Sequence, residues 1–478
     1  MSVSSESFWE SLDPFGVELG LDRMKRLLRA MGEPQRGLRI LQVAGTNGKG
    51  SAAATAAALL GAAGHRVGLY TSPHLVRLAE RIRVGAQQID DAALDAGVQA
   101  LRGAMARTGE QPTYFEALTA VALDHFARER VEFAVLEVGL GGRLDATSAV
   151  EPEVEIITRI GLDHMAILGP TLAAIAAEKA AIVKGGAQVF VARQPLEARE
   201  VIVAHAARVG ATCALAGRDF GLFEDHRARA PSSLEARLLP RGDGDGDRGG
   251  ESAAAIEAVD AIEAVEAAGE SVERIAGRAV EAASPLHYKE GAARIDALAL
   301  ALAGAHQLDN AEVAIAAARA LSPRVDGAVI RRGLREVRWP GRFEVISRRP
   351  LTLVDGAHNP DGARALAATC RARFPSARPR LVFSALADKD VAAIARLVFP
   401  LAASLHLVQL DNPRALSIER LAALARSSGV PFTEHPNVAA ALRGARAEAL
   451  GDGDHGWVLA AGSLYLVGEA LRLTPQTP

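Results

Sequence analysis

Short runs of β-branched and aliphatic residues alternate along the chain with longer segments rich in alanine and leucine. The short runs have the length and composition of buried strands, and the longer segments have those of helices that cover a sheet. This alternation predicts an α/β fold with mostly parallel sheets. In the first half of the chain, the predicted strands are residues 39–43, 67–71, 133–138, 155–160 and 188–192.

The same pattern resumes after Arg331. We therefore predict an N-terminal domain over residues 1–336 and a smaller C-terminal domain over residues 337–478. Between the two sets of strands, a glycine- and aspartate-rich run leads into an alanine- and glutamate-rich stretch. This segment, residues 241–284, is predicted to be a flexible surface insertion without catalytic residues. The later apolar runs are 351–354, 381–386, 405–410 and 457–462.

The composition of the chain restricts its partners. With 478 residues, 49% of them hydrophobic and 23% charged, the chain can bury more than one core. A net charge of −3 gives no overall attraction to nucleic acid or membranes, so neither is an expected partner. Cys213 and Cys370 lie far apart, which favours a reducing compartment. Because the N-terminus lacks a signal pattern and no apolar run could span a bilayer, we expect a cytoplasmic protein.

The first predicted strand ends in a glycine-rich loop, AGTNGKGS at residues 44–51. Its glycines let backbone N–H groups turn toward an anion, and the helix that follows adds the positive end of its dipole. Lys49 can reach terminal phosphates and Ser51 can ligate magnesium, so the loop predicts a nucleoside triphosphate site. The loop departs from the strict Walker pattern because Gly50 separates these two residues. A turn that binds nothing is the alternative interpretation.

Other polar residues also follow predicted strands. Glu137 precedes a second glycine-rich turn, where a carboxylate suits magnesium, although it could equally cap a helix or pair with an arginine. Asp163 and His164 follow the strand at 155–160, where a lone histidine is more often structural. Lys179 on the next helix, taken alone, is typical of a solvated lysine. Because the carboxyl ends of parallel strands share one edge of the sheet, the groups at the strand ends are expected to converge on one crevice. These groups are the glycine-rich loop, Ser72, Glu137 and Asp163 with His164.

Nine motifs in one order resemble the folylpolyglutamate synthase and dihydrofolate synthase family of the Mur-type ligases. The resemblance covers about Leu19 to Gly462. It implies a P-loop ATP-binding domain of the Mur-ligase type, followed by a smaller Rossmann-like α/β domain. The motifs are LGLDRM at 19–24, AGTNGKGS at 44–51, TSPHLVRLAERIRV at 71–84, TYFEALT at 113–119, LEVGLGGRLDAT at 136–147, LDHMAILGPTLAAIAAEKA at 162–180, HQLDNAEVAI at 306–315, PGRFEV at 340–345 and VDGAHNP at 354–360.

The resemblance also implies an ATP-dependent ligase that joins L-glutamate to dihydropteroate or a reduced folate, working as a monomer with two magnesium ions. Its catalytic groups would be Lys49, Lys179, His164 and Glu137. ATP contacts would come from Gly48, Lys49, Gly50, Ser51, Asn310, Arg342 and Asp355. Metal ligands would be Ser51 or Ser72, Glu137 and His164, with Lys179 carbamylated to help hold the second ion. Substrate contacts would be Glu18, Leu19, Gly20, Thr113, Tyr114, Phe115, Glu116, Leu144, Asp145, Ala146 and His358.

Two departures from the family pattern bear on the substrate range. Ser148 stands where asparagine is common, and Ala181 stands where glycine is usual. The LDAT segment and the intact TYFE region favour an enzyme with both synthase activities. The alternatives are a synthase with only the folylpolyglutamate activity, a Mur-type ligase acting on a cell-wall precursor, a non-enzymatic nucleotide switch and a degenerate ligase-fold scaffold. A cell-wall ligase should carry an additional N-terminal domain, for which about forty residues before the loop leave little room.

Overall fold

The structure is a computed structural model, and its description covers residues 3–12, 20–224 and 286–474. The predicted insertion at 241–284 and the predicted substrate residues Glu18 and Leu19 lie outside these residues. Within them, the strands form three sheets, of eight, three and six strands.

The eight-stranded sheet has the order β4-β3-β2-β5-β1-β6-β7-β8. The six strands β2, β5, β1, β6, β7 and β8 are parallel to one another. Strands β3 and β4 are antiparallel additions at the β2 edge. Its strands are β1 (Arg39–Ala44), β2 (Val67–Tyr70), β3 (Ile82–Val84), β4 (Gln87–Gln88), β5 (Phe133–Glu137), β6 (Val154–Ile157), β7 (Gln188–Val191) and β8 (Thr212–Leu215).

All five strands predicted for this half are present. Strand β6 ends three residues earlier than predicted because the Ile160 N–H donates to the side chain of Gln194 instead of a neighbouring strand. Strands β3, β4 and β8 were not predicted, since they are short and carry polar residues at exposed or half-buried positions.

Helices cover both faces of this sheet. Helix α3 is almost entirely small residues, which lets it pack closely against α9 and α10 over one hydrophobic cluster. The helices of this half are α1 (Val3–Ser11), α2 (Asp22–Ala30), α3 (Lys49–Ala62), α4 (Asp91–Thr108), α5 (Tyr114–Arg128), α6 (Met165–Leu168), α7 (Leu172–Ala180), α8 (Leu196–Val209), α9 (Ala305–Leu321) and α10 (Gly327–Glu336). Short 3₁₀ helices span Leu78–Arg81 and Ala146–Ala149.

A three-stranded antiparallel sheet, which was not predicted, packs on α9. Its strands are β9 (Phe220–Glu224), β10 (Leu286–Glu290) and β11 (Ala293–Leu298). Glu224 and Leu286 are directly paired, so the chain leaves this sheet and returns to it at adjacent backbone positions.

The six-stranded sheet has the order β12-β13-β17-β14-β15-β16 and is parallel except for β12. Its strands are β12 (Glu344–Arg348), β13 (Leu351–Asp355), β14 (Arg380–Phe383), β15 (Ser404–Val408), β16 (Phe432–His435) and β17 (Trp457–Ala461). Its helices are α11 (Pro360–Arg373), α12 (Val391–Val398), α13 (Ile418–Ser428), α14 (Val438–Gly451) and α15 (Leu464–Arg472), with 3₁₀ turns at Phe399–Leu401 and Gly453–His455.

The predicted α/β fold class is confirmed, including the Rossmann-like character of the C-terminal sheet. The division into residues 1–336 and 337–478 stays a prediction, although all strands of the six-stranded sheet follow residue 337. None of the helices in the described ranges is long and apolar enough to cross a bilayer.

Candidate active site

The glycine-rich loop joins β1 to α3 and is fixed by backbone contacts. Thr46 and Asn47 donate their N–H groups to the Arg159 carbonyl, and α3 begins directly after Gly48. Gly48 has a φ of 89°, and a Cβ placed there would lie 2.0 Å from Oδ1 of Asn310. The loop therefore requires glycine at this position for both its backbone conformation and its contact with α9.

A cavity of about 160 Å³ opens above this loop, between the eight-stranded and the six-stranded sheets. The predicted residues that line it from the first sheet are the loop residues 45–51, Ser72, Glu137, His164 and Lys179. From the C-terminal half it is lined by Arg342, His358 and Leu464. The structure thus brings Ser51, Glu137 and His164 to one crevice, as expected for strand ends that share one edge.

Glu137 ends β5 with its side chain buried beneath the cavity. The Ser72 N–H donates to Oε2 of Glu137 at 3.0 Å. Burial raises the pKa of Glu137, and the nearby Lys49 ammonium acts in the opposite direction. A cation would stabilise the charged carboxylate in the same way as Lys49 does.

These groups fit magnesium. In the part of the chain that the structure describes, no three His, Cys, Asp or Glu side chains are grouped as a metal site. Magnesium does not need such a group, because it binds one or two carboxylates and completes its shell with hydroxyl, water and phosphate oxygens. The carboxylate of Glu137 and the hydroxyls of Ser51 and Ser72, which line one cavity, are a donor set of this kind.

Lys179 lies in the last turn of α7 and is only 4% exposed. The solvated position expected for this residue from its type alone is therefore wrong. Burial and the charge of Lys49 lower the pKa of Lys179 to about 7. A substantial fraction of this amine is neutral at physiological pH, and a neutral amine is a nucleophile.

The loop that carries His164 is fixed from the C-terminal half of the chain. The preceding residue, Asp163, accepts from Lys389 Nζ at 2.6 Å and from Asn359 Nδ2 at 3.2 Å. Asn359 also donates to Oδ1 of Asn47 in the glycine-rich loop, at 2.9 Å. His164 itself is 42% exposed, with a left-handed backbone at φ 51°. Two loops of the cavity are therefore joined to the second half by polar contacts.

The remaining predicted ATP contacts lie around the start of α9 and the end of β13. The amide of Asn310 donates to Gln307 at 3.0 Å, while its oxygen faces Gly48. Asp355 accepts from the N–H groups of Phe343 and Ala357, both at 2.9 Å. Burial raises the pKa of Asp355, and Arg342 opposes that effect. Of these residues only Arg342 lines the cavity.

Among the described residues, the predicted substrate contacts other than His358 lie away from the cavity wall. Thr113 and Glu116 form a capping box at the start of α5, and the Glu116 carboxylate also pairs with Arg23 at 2.9 Å. Asp145 accepts from Gly139, Leu140 and Thr147, so both of its oxygens are engaged within its own loop. The remaining predicted positions here are Gly20, Tyr114, Phe115, Leu144 and Ala146. Their roles in substrate binding stay predictions.

Sequence reasoning missed two packing contacts around the cavity. The Trp339 ring covers Gly50 so closely that a Cβ there would lie 2.5 Å from it. Leu75, three residues after Ser72, lies against Gly468 of α15, where a Cβ would meet the Leu75 carbonyl oxygen at 2.0 Å. The tryptophan directly before PGRFEV was a visible signal for the first contact, whereas nothing local indicates the second.

Two family models match the chain. The Mur ligase middle domain matches residues 43–208, and the glutamate ligase domain of Mur ligases matches residues 341–464. The dihydrofolate synthase/folylpolyglutamate synthase of Bacillus subtilis is 32% identical over 464 residues, which cover 95% of each chain. The chain belongs to the folylpolyglutamate synthase/dihydrofolate synthase family. The family and fold predicted from the motifs are therefore confirmed.

A haloarchaeal relative of this synthase family is longer. The probable bifunctional folylpolyglutamate synthase/dihydropteroate synthase of Haloferax volcanii is 37% identical over 468 residues. These residues cover 97% of this chain, which spans only 49% of the Haloferax protein.

Solved structures of the synthase family superpose over nearly the whole chain. E. coli FolC in complex with DHPP and ADP has a TM-score of 0.79 and 29% identity, and covers 98% of this chain and 96% of its own. The bifunctional synthase from Yersinia pestis, complexed with AMPPNP and a Mn ion, has a TM-score of 0.77 and 28% identity. That match covers 98% of this chain and 97% of the Yersinia chain.

Proposed function

We propose that this protein is an ATP-dependent ligase that joins L-glutamate to the carboxylate of dihydropteroate and of reduced folates. The observation that carries the proposal is the single cavity lined by the glycine-rich loop, Glu137, His164 and Lys179 on one side and by Arg342 and His358 on the other. A nucleotide switch needs only the loop. A cavity that also has a C-terminal wall fits transfer of a phosphoryl group from the nucleotide to a second substrate.

The reaction needs an activated acid, because a carboxylate is a poor electrophile. The pteroyl or folyl carboxylate attacks the γ-phosphorus of ATP, the bond to the β–γ bridging oxygen breaks, and an acyl phosphate and ADP result. The neutral glutamate amine then attacks the acyl carbon, the C–O bond to phosphate breaks, and the nitrogen loses one proton to the departing phosphate. Lys49, at the first position of α3, stabilises the charge that the γ-phosphoryl oxygens carry during transfer.

Magnesium would be held by Glu137, by Ser51 or Ser72, and by His164, with Lys179 contributing to a second ion. When bound, it supplies charge neutralisation at the phosphate oxygens. The chain's own contribution is to hold these donors in place. The Ser72 N–H fixes the Glu137 carboxylate, and Glu80 accepts from the N–H groups that follow Pro73, at Leu75, Val76 and Arg77.

Lys179 is proposed to carry an N6-carboxylate. The neutral amine would attack CO₂, form an N–C bond and release one proton, which converts a buried cation into an anion. Its burial and its pKa of about 7 support this step, because a protonated amine has no lone pair for the attack. The carbamate would then lie near Lys49, whose charge stabilises it.

His358 is proposed to accept a hydrogen bond from the glutamate amino group. Burial lowers the pKa of His358 to about 4, so the ring is neutral. The hydrogen bond between Nδ1 and the Gly356 carbonyl, at 2.7 Å, assigns the proton to Nδ1 and leaves Nε2 as an acceptor. An acceptor at the C-terminal wall can orient the amine toward the acyl carbon.

The finer assignments rest on the family match and on the intact LDAT and TYFE segments. We propose both synthase activities, in a monomer. Both cysteines carry free thiols, as expected in the cytoplasm, where we place the reaction.

The experiment is a release assay for ADP with the purified full chain, ATP, magnesium and glutamate. Dihydropteroate and a reduced folate are offered separately as acceptors, and glutamate incorporation is followed by mass spectrometry. We expect glutamate-dependent ADP release with both. Release with only one acceptor would reduce the proposal to a single synthase activity. Release with a cell-wall nucleotide precursor but with neither pterin compound would replace it.

A further inference from the structure

Two buried polar side chains lie next to each other in the eight-stranded sheet, away from any proposed ligand. Gln42 on β1 and Glu155 on β6 are register partners in adjacent parallel strands, and both are fully buried. Their strand neighbours Val43 and Ile156 pack toward α3 and α9. Because side chains alternate along a strand, Gln42 and Glu155 share the opposite face of the sheet.

Each of these side chains has one oxygen without a hydrogen-bond partner among the described residues. Oε1 of Glu155 accepts from the Lys184 N–H at 3.1 Å, and Oε2 has no partner. The Gln42 amide donates through Nε2 to Thr147 Oγ1 at 2.9 Å and to Ser148 Oγ at 3.0 Å, and its Oε1 has no partner. Two acceptor oxygens cannot bond to each other unless one of them carries a proton.

We propose that Glu155 is a neutral carboxylic acid whose Oε2–H donates to Oε1 of Gln42, and that it thereby positions the loop at residues 139–148 beside the cavity. This satisfies both buried oxygens with one proton, which removes the cost of leaving them without partners. Glu155 is a positioning residue in this proposal, because it acts through Gln42 and touches no reacting atom.

The hydrogen bonds beyond Gln42 continue toward the cavity and meet at Asp145, which accepts from both sides. Thr147 Oγ1 donates to Asp145 Oδ1 at 2.6 Å, and Ser148 Oγ donates to the Gly142 carbonyl at 2.7 Å. The other oxygen of Asp145 accepts from Gly139 and Leu140, both at 3.0 Å. Those two residues line the cavity, so the chain of hydrogen bonds that begins at Glu155 ends in its wall.

Ionisation of Glu155 would reverse this chain. The charged carboxylate would need a donor, so the Gln42 amide would have to turn and present Nε2 to it. The amide oxygen would then face the hydroxyls of Thr147 and Ser148, which already donate to Asp145 and to Gly142. One proton on Glu155 therefore decides which way the Gln42 amide faces, and with it whether Thr147 and Ser148 each receive a donor from Gln42.

Burial favours the neutral form of Glu155, and the charged groups around it do not reverse this preference. Burial raises the pKa of Glu155 from 4.5 to about 8, the N–H and the ammonium of Lys184 lower it, and Glu151 raises it. The Lys184 ammonium donates to the carbonyls of Ser148 and Val150 at 3.0 and 2.6 Å and pairs with the Glu151 carboxylate at 3.3 Å. Among the described contacts it forms no ion pair with Glu155. Asp145, the other carboxylate in the network, lies at its far end.

The pH dependence follows from this raised pKa. Between about pH 4.5 and pH 8 the folded chain binds a proton at Glu155 that the unfolded chain does not bind. The stabilisation by Glu155 is therefore complete below about pH 4.5 and is lost progressively as the pH rises through about 8.

The first test compares Glu155→Gln with Glu155→Met. Glutamine keeps a donor for Gln42 and has no proton to lose. We expect Glu155→Gln to match the wild type at pH 7 and to stay active at higher pH, whereas the wild type loses activity as the pH passes about 8. Glu155→Met should raise KM for the pterin acceptor by about tenfold at every pH, with KM for ATP unchanged. Glu153→Gln, at an exposed pair with Arg39, is the control.

The second test reads the proton directly and rests on no assumption about the reaction. The infrared carbonyl band of a protonated carboxylic acid is measured for the wild type at pH 7 and above pH 9, and for Glu155→Gln. Burial also raises the pKa of Glu312 to about 7, so the Glu155 signal is read as the difference between the two proteins. We expect a band component at pH 7 that is lost above pH 9 and is missing from the variant. A wild type without this band, or a variant with the same alkaline loss of activity as the wild type, overturns the proposal. A protein that shows the band but does not ligate glutamate contradicts only the proposed function.

Discussion

The ammonium group of Lys389, in the C-terminal half, lies 2.6 Å from the carboxylate of Asp163, which directly precedes His164 in the N-terminal half. Both side chains are about nine-tenths buried. Burial alone would favour the protonated acid, but Lys389 and the neighbouring His164 hold the pKa of Asp163 well below its ordinary value. The ion pair therefore persists over the whole physiological pH range and joins the two halves beside the cavity.

Removing one member of this pair should be costly. Asp163→Asn leaves the Lys389 ammonium buried without its counter-charge, and we expect the free energy of unfolding to fall by about 3 kcal/mol. Denaturant titration of Asp163→Asn, Lys389→Met and the double variant gives the interaction energy of the two side chains as a double-mutant cycle. The free energy of unfolding of the double variant should exceed the value expected from adding the two single losses. Strict additivity of the two single effects would contradict a direct interaction.

Gly48→Ala should abolish nucleotide binding while most of the fold remains. An alanine Cβ would meet Oδ1 of Asn310, and the backbone would be held at an unfavourable φ of 89°. Isothermal titration with ADP and magnesium measures the loss. Gly61→Ala, in the same helix α3 with open space around it, is the matched control and should gain about 0.5–1 kcal/mol of stability. Normal ADP binding by Gly48→Ala would contradict the close contact with α9.

Lys49→Ala should remove product formation without unfolding the protein. The side chain lines the cavity, and its one hydrogen bond to a described residue is to the Thr46 carbonyl at 3.3 Å. Loss of a charge that stabilises phosphoryl transfer typically costs a hundredfold or more, on the order of 3 kcal/mol. ADP release measures the loss of activity, and circular dichroism shows whether the variant is still folded. Turnover near the wild-type rate would remove this lysine from the reaction.

Lys179→Met should change the pH dependence of stability. Because burial lowers the pKa of Lys179 from 10.5 to about 7, the unfolded chain binds the extra proton between these values. The stability of the wild type relative to Lys179→Met should therefore rise with pH across that window. Chemical denaturation in buffer depleted of CO₂ measures this without the carbamate. A flat difference between the two proteins would show that Lys179 titrates as an exposed lysine.

Residues 225–285 should be dispensable for folding. Glu224 and Leu286 are register partners, so a tight two-residue turn can replace the connection between β9 and β10. We expect replacement by Asn-Gly to keep the thermal transition of the N-terminal half and the glutamate-dependent ADP release. Loss of both would assign a structural role to the replaced segment.

The sequence predicts the functional groups at the strand ends better than the contacts between the N-terminal and C-terminal halves. Glu137 and the glycine-rich loop were placed correctly, because adjacent parallel strands bring their carboxyl ends together whatever else the chain does. The Asp163–Lys389 pair joins residues 226 positions apart on different sheets, and no local pattern encodes it. The burial of Lys179 was missed for the same reason, since depth is set by packing and not by residue type.

Other misses had a local signal. Thr113 and Glu116 are spaced as a capping box at the start of a helical pattern, and the structure uses them in that way. Asp145 precedes a threonine and a 3₁₀ turn, where a carboxylate commonly caps nearby N–H groups. A structural role could therefore have been predicted for both carboxylates beside the substrate role that the family resemblance implies. Ser148, a departure from the family pattern, accepts a hydrogen bond from Gln42 and donates one to the Gly142 carbonyl.

The position of Trp339 gives the molecule an intrinsic optical reporter. The chain has three tryptophans, and Trp9 and Trp457 are buried in separate hydrophobic clusters. Of the three indoles, that of Trp339 lies on Gly50, one residue after Lys49. Nucleotide binding at the glycine-rich loop therefore changes the surroundings of this indole, and no added fluorophore is needed. Steady-state emission can thus follow nucleotide arrival in the native chain, and Trp339→Phe identifies which indole supplies the signal.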